Sequence, residues 1–72
     1  MITIYGKDNC SYCEKAKELV PDAEYINLNK RPDLLERLKS QGFRTVPIVY
    51  SDQMGYLGGY NELKSYLEAN NE

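Results

Sequence analysis

Apolar and polar residues alternate through Ile2-Thr3-Ile4-Tyr5, the two-residue period of a strand. Gly6 to Asn9 is a turn-rich connection. From Ser11 to Val20 the period changes. Tyr12, Cys13, Ala16, Leu19 and Val20 share one helical face, Glu14, Lys15, Lys17 and Glu18 the other, and Pro21 ends the run. Ala23 to Leu28 reads as a second strand, rich in β formers. Pro32 and Asp33 open a second helix: proline suits the first helical position, and an acid suits the positive end of the helix dipole. Leu34, Leu35 and Leu38 form its apolar stripe, and Gly42 is the expected C-cap. Pro47 to Tyr50 is a third strand, Ser51 to Gly55 a hairpin turn and Tyr56-Leu57 a short fourth strand, which Gly58-Gly59 breaks. Asn61 is the expected N-cap of a last helix with Leu63, Tyr66 and Leu67 on its inner face.

The order β-α-β-α-β-β-α predicts an α/β fold. A helical crossover between strands one and two implies a parallel, right-handed pair, and the hairpin implies an antiparallel pair. The expectation is a four-stranded mixed sheet covered by three helices. At 72 residues the chain is read as one domain, 1–72, near the lower limit for a single hydrophobic core. So small a core favours a site built from the ends of elements.

Charge changes the picture little. The formal net charge is −2, with both signs mixed along the chain. No basic run suggests nucleic acid, and no apolar stretch is long enough to span a bilayer. The opening residues are too short and too polar in their flanks for a signal peptide, so the expected compartment is the reducing cytoplasm. The tyrosines Tyr5, Tyr25, Tyr50, Tyr56 and Tyr66 are read as packing residues with wet edges; Tyr12 and Tyr60 fall near the candidate site.

That site is Cys10-Ser11-Tyr12-Cys13, which holds both cysteines of a chain without histidine. Residues three apart on a helix are neighbours, close enough for a disulfide. Cys10 falls where a helix start leaves backbone N–H groups unpaired and presents the positive end of its dipole, and both favour a thiolate. Lys7, in the same loop, adds a positive charge. These effects lower a cysteine pKa from about 8.5 toward the activated range of roughly 3.5–7.5. Cys10 is thus the expected nucleophile. Cys13, one turn into the helix, is the resolving thiol. A purely structural disulfide gains little from closing so short a loop and would be reduced in the cytoplasm. A zinc site normally needs four ligands, and one chain offers two thiols, although a dimer would supply four. No metal is therefore expected.

Three separated motifs carry a family resemblance over essentially the whole chain. Lys7-x-x-Cys10-Ser11-Tyr12-Cys13 resembles the Lys-x-x-Cys-Pro-Tyr-Cys active site of the glutaredoxins, which have the thioredoxin fold. Thr45-Val46-Pro47 matches their Thr-Val-Pro loop, and Gly58-Gly59-Tyr60-Asn61-Glu62-Leu63 is similar to the segment that opens their last helix. The short length resembles compact phage and bacterial members. The resemblance implies a glutathione-dependent dithiol oxidoreductase and a cis Val46–Pro47 bond facing the disulfide. It also implies a glutathione site of Lys7, Tyr12, Thr45, Val46, Pro47, Gly59, Tyr60 and Asn61. The cysteinyl unit would pair with the backbone of Val46 as a short added strand. The N–H groups of Tyr60 and Asn61 would take one carboxylate, and Lys7 the other. Expected partners are glutathione and disulfide-bearing clients, ribonucleotide reductase among them, with the protein a monomer. The chain departs from the family in two places: Ser11 stands where proline is usual, and Asn61-Glu62 where a Ser/Asp pairing is common. Two alternatives follow from those departures and from related small redoxins: a dimeric carrier of a [2Fe–2S] cluster, and a redoxin recharged by thioredoxin reductase.

Overall fold

The computed structural model describes residues 1–69. Its elements are β1 (Ile2–Gly6), α1 (Ser11–Leu19), β2 (Glu24–Asn27), α2 (Pro32–Ser40), β3 (Ile48–Ser51), β4 (Gly55–Gly58) and α3 (Tyr60–Ala69), with a single 3-10 turn at Leu28–Lys30. The strands form one mixed sheet in the order β2-β1-β3-β4. β1 runs parallel to β2, with Ile4 opposite Tyr25, and antiparallel to β3, with Ile4 opposite Val49. β3 and β4 are antiparallel, with an irregularity between Val49 and Tyr50.

Strand alternation divides the core in two. On one face Ile4, Ala16, Val49 and Leu63 are fully buried, which places α1 and α3 over that side. On the other, Leu28, Leu38 and Ile48 are buried against Tyr5, Leu34, Leu35, Phe43, Val46 and Tyr50, beneath α2. Adjacent residues such as Ile4 and Tyr5 thus serve opposite layers. Each fully buried aliphatic side chain contributes about 1.5–3 kcal/mol relative to exposure.

The element order matches the expectation, and the differences lie at element ends. The second strand stops at Asn27, because the Asn27 side chain accepts from the N–H of Asn29 at 2.9 Å and folds the backbone into the 3-10 turn. α1 ends at Leu19, with Val20 as its C-cap. Gln41, not Gly42, is the C-cap of α2. Gly42 follows with φ +97°, the N–H of Phe43 returns to the carbonyl of Leu38, and that of Gly42 to Lys39, a Schellman closure. β3 begins at Ile48 rather than Pro47 and runs to Ser51, whose hydroxyl accepts from the N–H groups of Gln53 and Met54 and shapes the hairpin. β4 extends through Gly58, so only Gly59 separates it from α3. Asn61 is not an N-cap: it lies within the first turn of α3. Tyr56, expected to pack into the core, is exposed on the edge strand, edge-on to Phe43 with ring centroids 5.1 Å apart.

Candidate active site

The loop from β1 to α1 is held by polar ties to the 3-10 turn. The N–H of Asp8 donates to Asn29 Oδ1 at 2.7 Å, and Asn27 Nδ2 donates to Asp8 Oδ1 at 2.8 Å. Asn9 takes a left-handed conformation, φ 57°, which asparagine tolerates better than most residues. This turn delivers Cys10 to the N-cap of α1 in an extended conformation. Its sulfur accepts from the N–H of Cys13 at 3.2 Å, and its carbonyl accepts from the N–H of Glu14 at 3.1 Å.

Cys10 and Cys13 are joined as a disulfide, with Cα atoms 5.2 Å apart. Cys13 is fully buried, whereas Cys10 is partly exposed. An incoming thiol or disulfide therefore meets Cys10 first. The N–H that now donates to the Cys10 sulfur is placed to donate to a thiolate there, and the helix dipole acts in the same direction.

The Val46–Pro47 bond is cis, as the resemblance implied. Tyr12, Thr45, Val46, Pro47, Gly59, Tyr60 and Asn61 line one open cleft of about 320 Å³, together with Glu62. The Tyr12 and Tyr60 rings stand 5.7 Å apart along it, and the Lys15 ammonium lies 5.0 Å above the Tyr12 ring. Tyr12 is 54% exposed, a cleft residue rather than a core one. Gly59 sits close to the proline loop: a Cβ there would lie 3.5 Å from the carbonyl oxygen of Pro47.

Lys7 is not among the residues lining that cleft. It lines a separate, mostly apolar groove of about 590 Å³ on the α2 side, with Leu35, Leu38, Lys39, Phe43 and Arg44, and this groove shares Thr45 and Val46 with the cleft. Three site features were missed in the sequence. Asn27 and Asn29, which tie down the loop before Cys10, carry no local signal of that role. Arg44 is adjacent to Thr45 but belongs to no motif. The carboxylate of Glu62 accepts from the N–H of Gly59 at 2.8 Å. That is half of a capping box, signalled by an acid three residues after the helix-flanking position.

Tyr25 lies beneath the same loop. Its hydroxyl occupies the space a Cβ on Gly6 would fill, and the Lys17 ammonium lies 4.5 Å from its ring. Burial, then the nearby carboxylates of Glu14 and Asp8, push its phenol above the ordinary value of 10.0. Among the described residues no group of three or more His, Cys, Asp or Glu is arranged to hold a metal ion, and no helix is long and apolar enough to cross a membrane.

The glutaredoxin family model matches residues 2–54. The chain belongs to the glutaredoxin family. Among its relatives is the glutaredoxin-like protein NrdH of Lactococcus lactis, 31% identical over 62 residues that cover 81% of this chain and 86% of the relative. The Escherichia coli NrdH protein is 34% identical over 61 residues, covering 79% and 75%. A solved structure of NrdH-redoxin from E. coli, described as having a thioredoxin-like activity profile, superposes with a TM-score of 0.75 at 30% identity, over 89% of this chain and 91% of that one. Reduced E. coli glutaredoxin superposes with a TM-score of 0.76 over 97% and 95%, and at 23% identity it speaks to the fold alone. The architecture is the thioredoxin fold, and this glutaredoxin-family protein is a thiol-disulfide oxidoreductase with a Cys-x-x-Cys pair.

Proposed function

We propose that the protein reduces disulfides of client proteins, with Cys10 as nucleophile and Cys13 as resolving thiol. The observation that carries this reading is the placement of a partly exposed Cys10 at the α1 N-terminus, bonded to a fully buried Cys13. The Cys10 thiolate attacks one sulfur of a client disulfide. A mixed disulfide forms, and the other client sulfur leaves as a thiolate and takes a proton. Cys13 loses its proton and attacks the Cys10 sulfur. The second client sulfur departs as a thiolate and takes a proton; the client disulfide has gained two electrons, and the Cys10/Cys13 dithiol that supplied them is left as a disulfide. The resemblance adds ribonucleotide reductase as a candidate client, and a reducing compartment such as the cytoplasm suits a pair that must work as a dithiol.

Recharging needs two electrons from an external thiol. Glutathione is one candidate, and Tyr12, Thr45, Val46, Pro47, Gly59, Tyr60 and Asn61 would form its cleft, with Lys7 reaching it only from the neighbouring groove. The second candidate is thioredoxin reductase. One observation favours it: the thioredoxin-like activity profile of the E. coli relative. A coupled NADPH assay with a protein disulfide as substrate tests both. Wild type, Cys10→Ser and Cys13→Ser are recharged either by glutathione with glutathione reductase or by thioredoxin reductase. Turnover by wild type that disappears in Cys10→Ser supports the mechanism, and the system that sustains it identifies the donor. Full turnover by Cys10→Ser would refute the assignment.

A further inference from the structure

We propose that Asn27 and Asn29, at and just after the end of β2, are positioning residues for Cys10: acting through Asp8, they hold its sulfur at the α1 N-terminus and so set its reactivity. The inference rests on the oxidoreductase reading above and assigns part of the control of that site to a different strand.

Three hydrogen bonds close a ring between the two segments. The Asp8 N–H donates to Asn29 Oδ1 at 2.7 Å, the Asn29 N–H to Asn27 Oδ1 at 2.9 Å, and Asn27 Nδ2 to Asp8 Oδ1 at 2.8 Å. Each residue donates once and accepts once, so the loss of any one opens the ring. The platform beneath it is fixed. Asn27 stands opposite Gly6 in the sheet, and Leu28, between the two asparagines, is buried in the core. On the far side of the loop α1 is fixed as well, because Cys13 and Ala16 are fully buried. Asn9 bridges the ring and the helix with φ 57°, a left-handed conformation less stable than those a free loop would take. Opening the ring lets Asn9 leave it. Cys10 then turns out of its extended N-cap conformation and away from the Cys13 N–H, which donates to its sulfur at 3.2 Å. A hydrogen bond to a charged acceptor stabilises that charge by the equivalent of about one to two pH units. Water at the freed sulfur recovers part of this and leaves a shift of about 0.5–1 pH unit. The ring lies at the surface, so its removal opens no cavity in the core.

The test is the pH midpoint of Cys10 alkylation by iodoacetamide in the reduced protein. It is run in about 1 M salt, where a screening length of about 3 Å removes most of the effect of any displaced charge. Asn29→Ala and Asn27→Ala open the ring without changing the net charge, and each should raise the midpoint by about 0.5–1 pH unit. Asn27→Asp sets two carboxylates against each other and should do the same. Adding Asp8→Asn to Asn27→Asp reverses donor and acceptor: the new amide donates to the new carboxylate, whose second oxygen still accepts from the Asn29 N–H. That double variant should return to the wild-type midpoint. Leu67→Ala, which weakens packing near the far end of α3, should leave the midpoint unmoved. Amide exchange in the wild-type protein needs no variant to fold, and the Asp8 N–H should exchange at least about tenfold more slowly than in an unstructured peptide. The inference would be overturned by midpoints unmoved in both alanine variants or moved as far by Leu67→Ala. A double variant no nearer to wild type than Asn27→Asp alone, or an unprotected Asp8 N–H, would overturn it too. Each of these results leaves Cys10 as the nucleophile. A wild-type midpoint at or above about 8.5 would instead overturn the reading of Cys10 itself, and this inference with it.

Discussion

Replacing Gly58 with alanine tests the junction that sets β4, α3 and the cleft wall in register. Gly58 is buried at φ +130°, a conformation that costs an alanine about 1–2 kcal/mol. The added methyl would also stand 2.5 Å from Glu62 Cγ and 2.7 Å from its Cβ. The Glu62 Cγ and carboxylate must swing away and release the Gly59 N–H, while its Cβ is fixed to the helix backbone and moves only with it. Loss of such a cap costs about 0.5–2 kcal/mol. The two effects give about 1.5–4 kcal/mol, a large share of the roughly 4–10 kcal/mol expected for a chain of this size. Urea unfolding followed by circular dichroism gives the free energies. Gly58→Ala, Glu62→Ala and the double variant form a cycle. Glu62→Ala removes the cap and the Cγ contact but keeps the Cβ 2.7 Å from the added methyl; because the cap can be lost only once, the double variant should be less destabilised than the two single changes summed, by about 1 kcal/mol. A Gly58→Ala cost below about 0.5 kcal/mol, the range of an unstrained surface change, would refute the argument, as would strict additivity.

Leu63, fully buried against Ile4, Ala16 and Val49, anchors α3 to the sheet, and Leu63→Ala should cost about 2–5 kcal/mol in the same urea titration. Gly6→Ala places a methyl on the Tyr25 hydroxyl and 2.8 Å from Tyr25 Cζ; it should cost about 1–3 kcal/mol, with Tyr25→Phe recovering part of the loss in denaturant midpoint. The Tyr25 phenol is pushed above 10.0 by burial and by Glu14 and Asp8, so it stays protonated in the folded protein where it ionises in the unfolded chain. Its contribution is fully present below pH 10.0 and is lost as pH rises toward the elevated folded value. Absorbance titration of phenolate should show one late tyrosine that is missing in Tyr25→Phe, and the variant's stability should fall less steeply above that pH.

The order of elements was legible because the hydrophobic period switches cleanly from two to about 3.6 and back, with Pro21, Pro32 and Gly42 marking the breaks. Cys10 was legible as a candidate nucleophile from its place between a strand and a helical run. What escaped depended on side chains that compete with the backbone or reach across the fold. Leu28 continues an apolar strand pattern, yet the Asn27 amide captures the Asn29 N–H and turns the chain. The family resemblance implied Lys7 in the glutathione cleft. The loop is oriented by ties from Asp8 to Asn27 and Asn29, separated from it by 19 and 21 positions, and the lysine lines the other groove. The acid three residues after Gly59 fits a capping pattern, but the family motif over the same residues points to a ligand rather than to the helix itself.

The central claim is that the α1 N-terminus makes Cys10 the reactive thiol of the pair. The most direct test is the pH dependence of alkylation of the reduced protein by iodoacetamide, with the modified cysteine identified by peptide mass spectrometry. First modification is expected at Cys10, with a midpoint well below the roughly 8.5 of an ordinary cysteine, and little at buried Cys13. A midpoint at or above about 8.5, or first modification at Cys13, would contradict it.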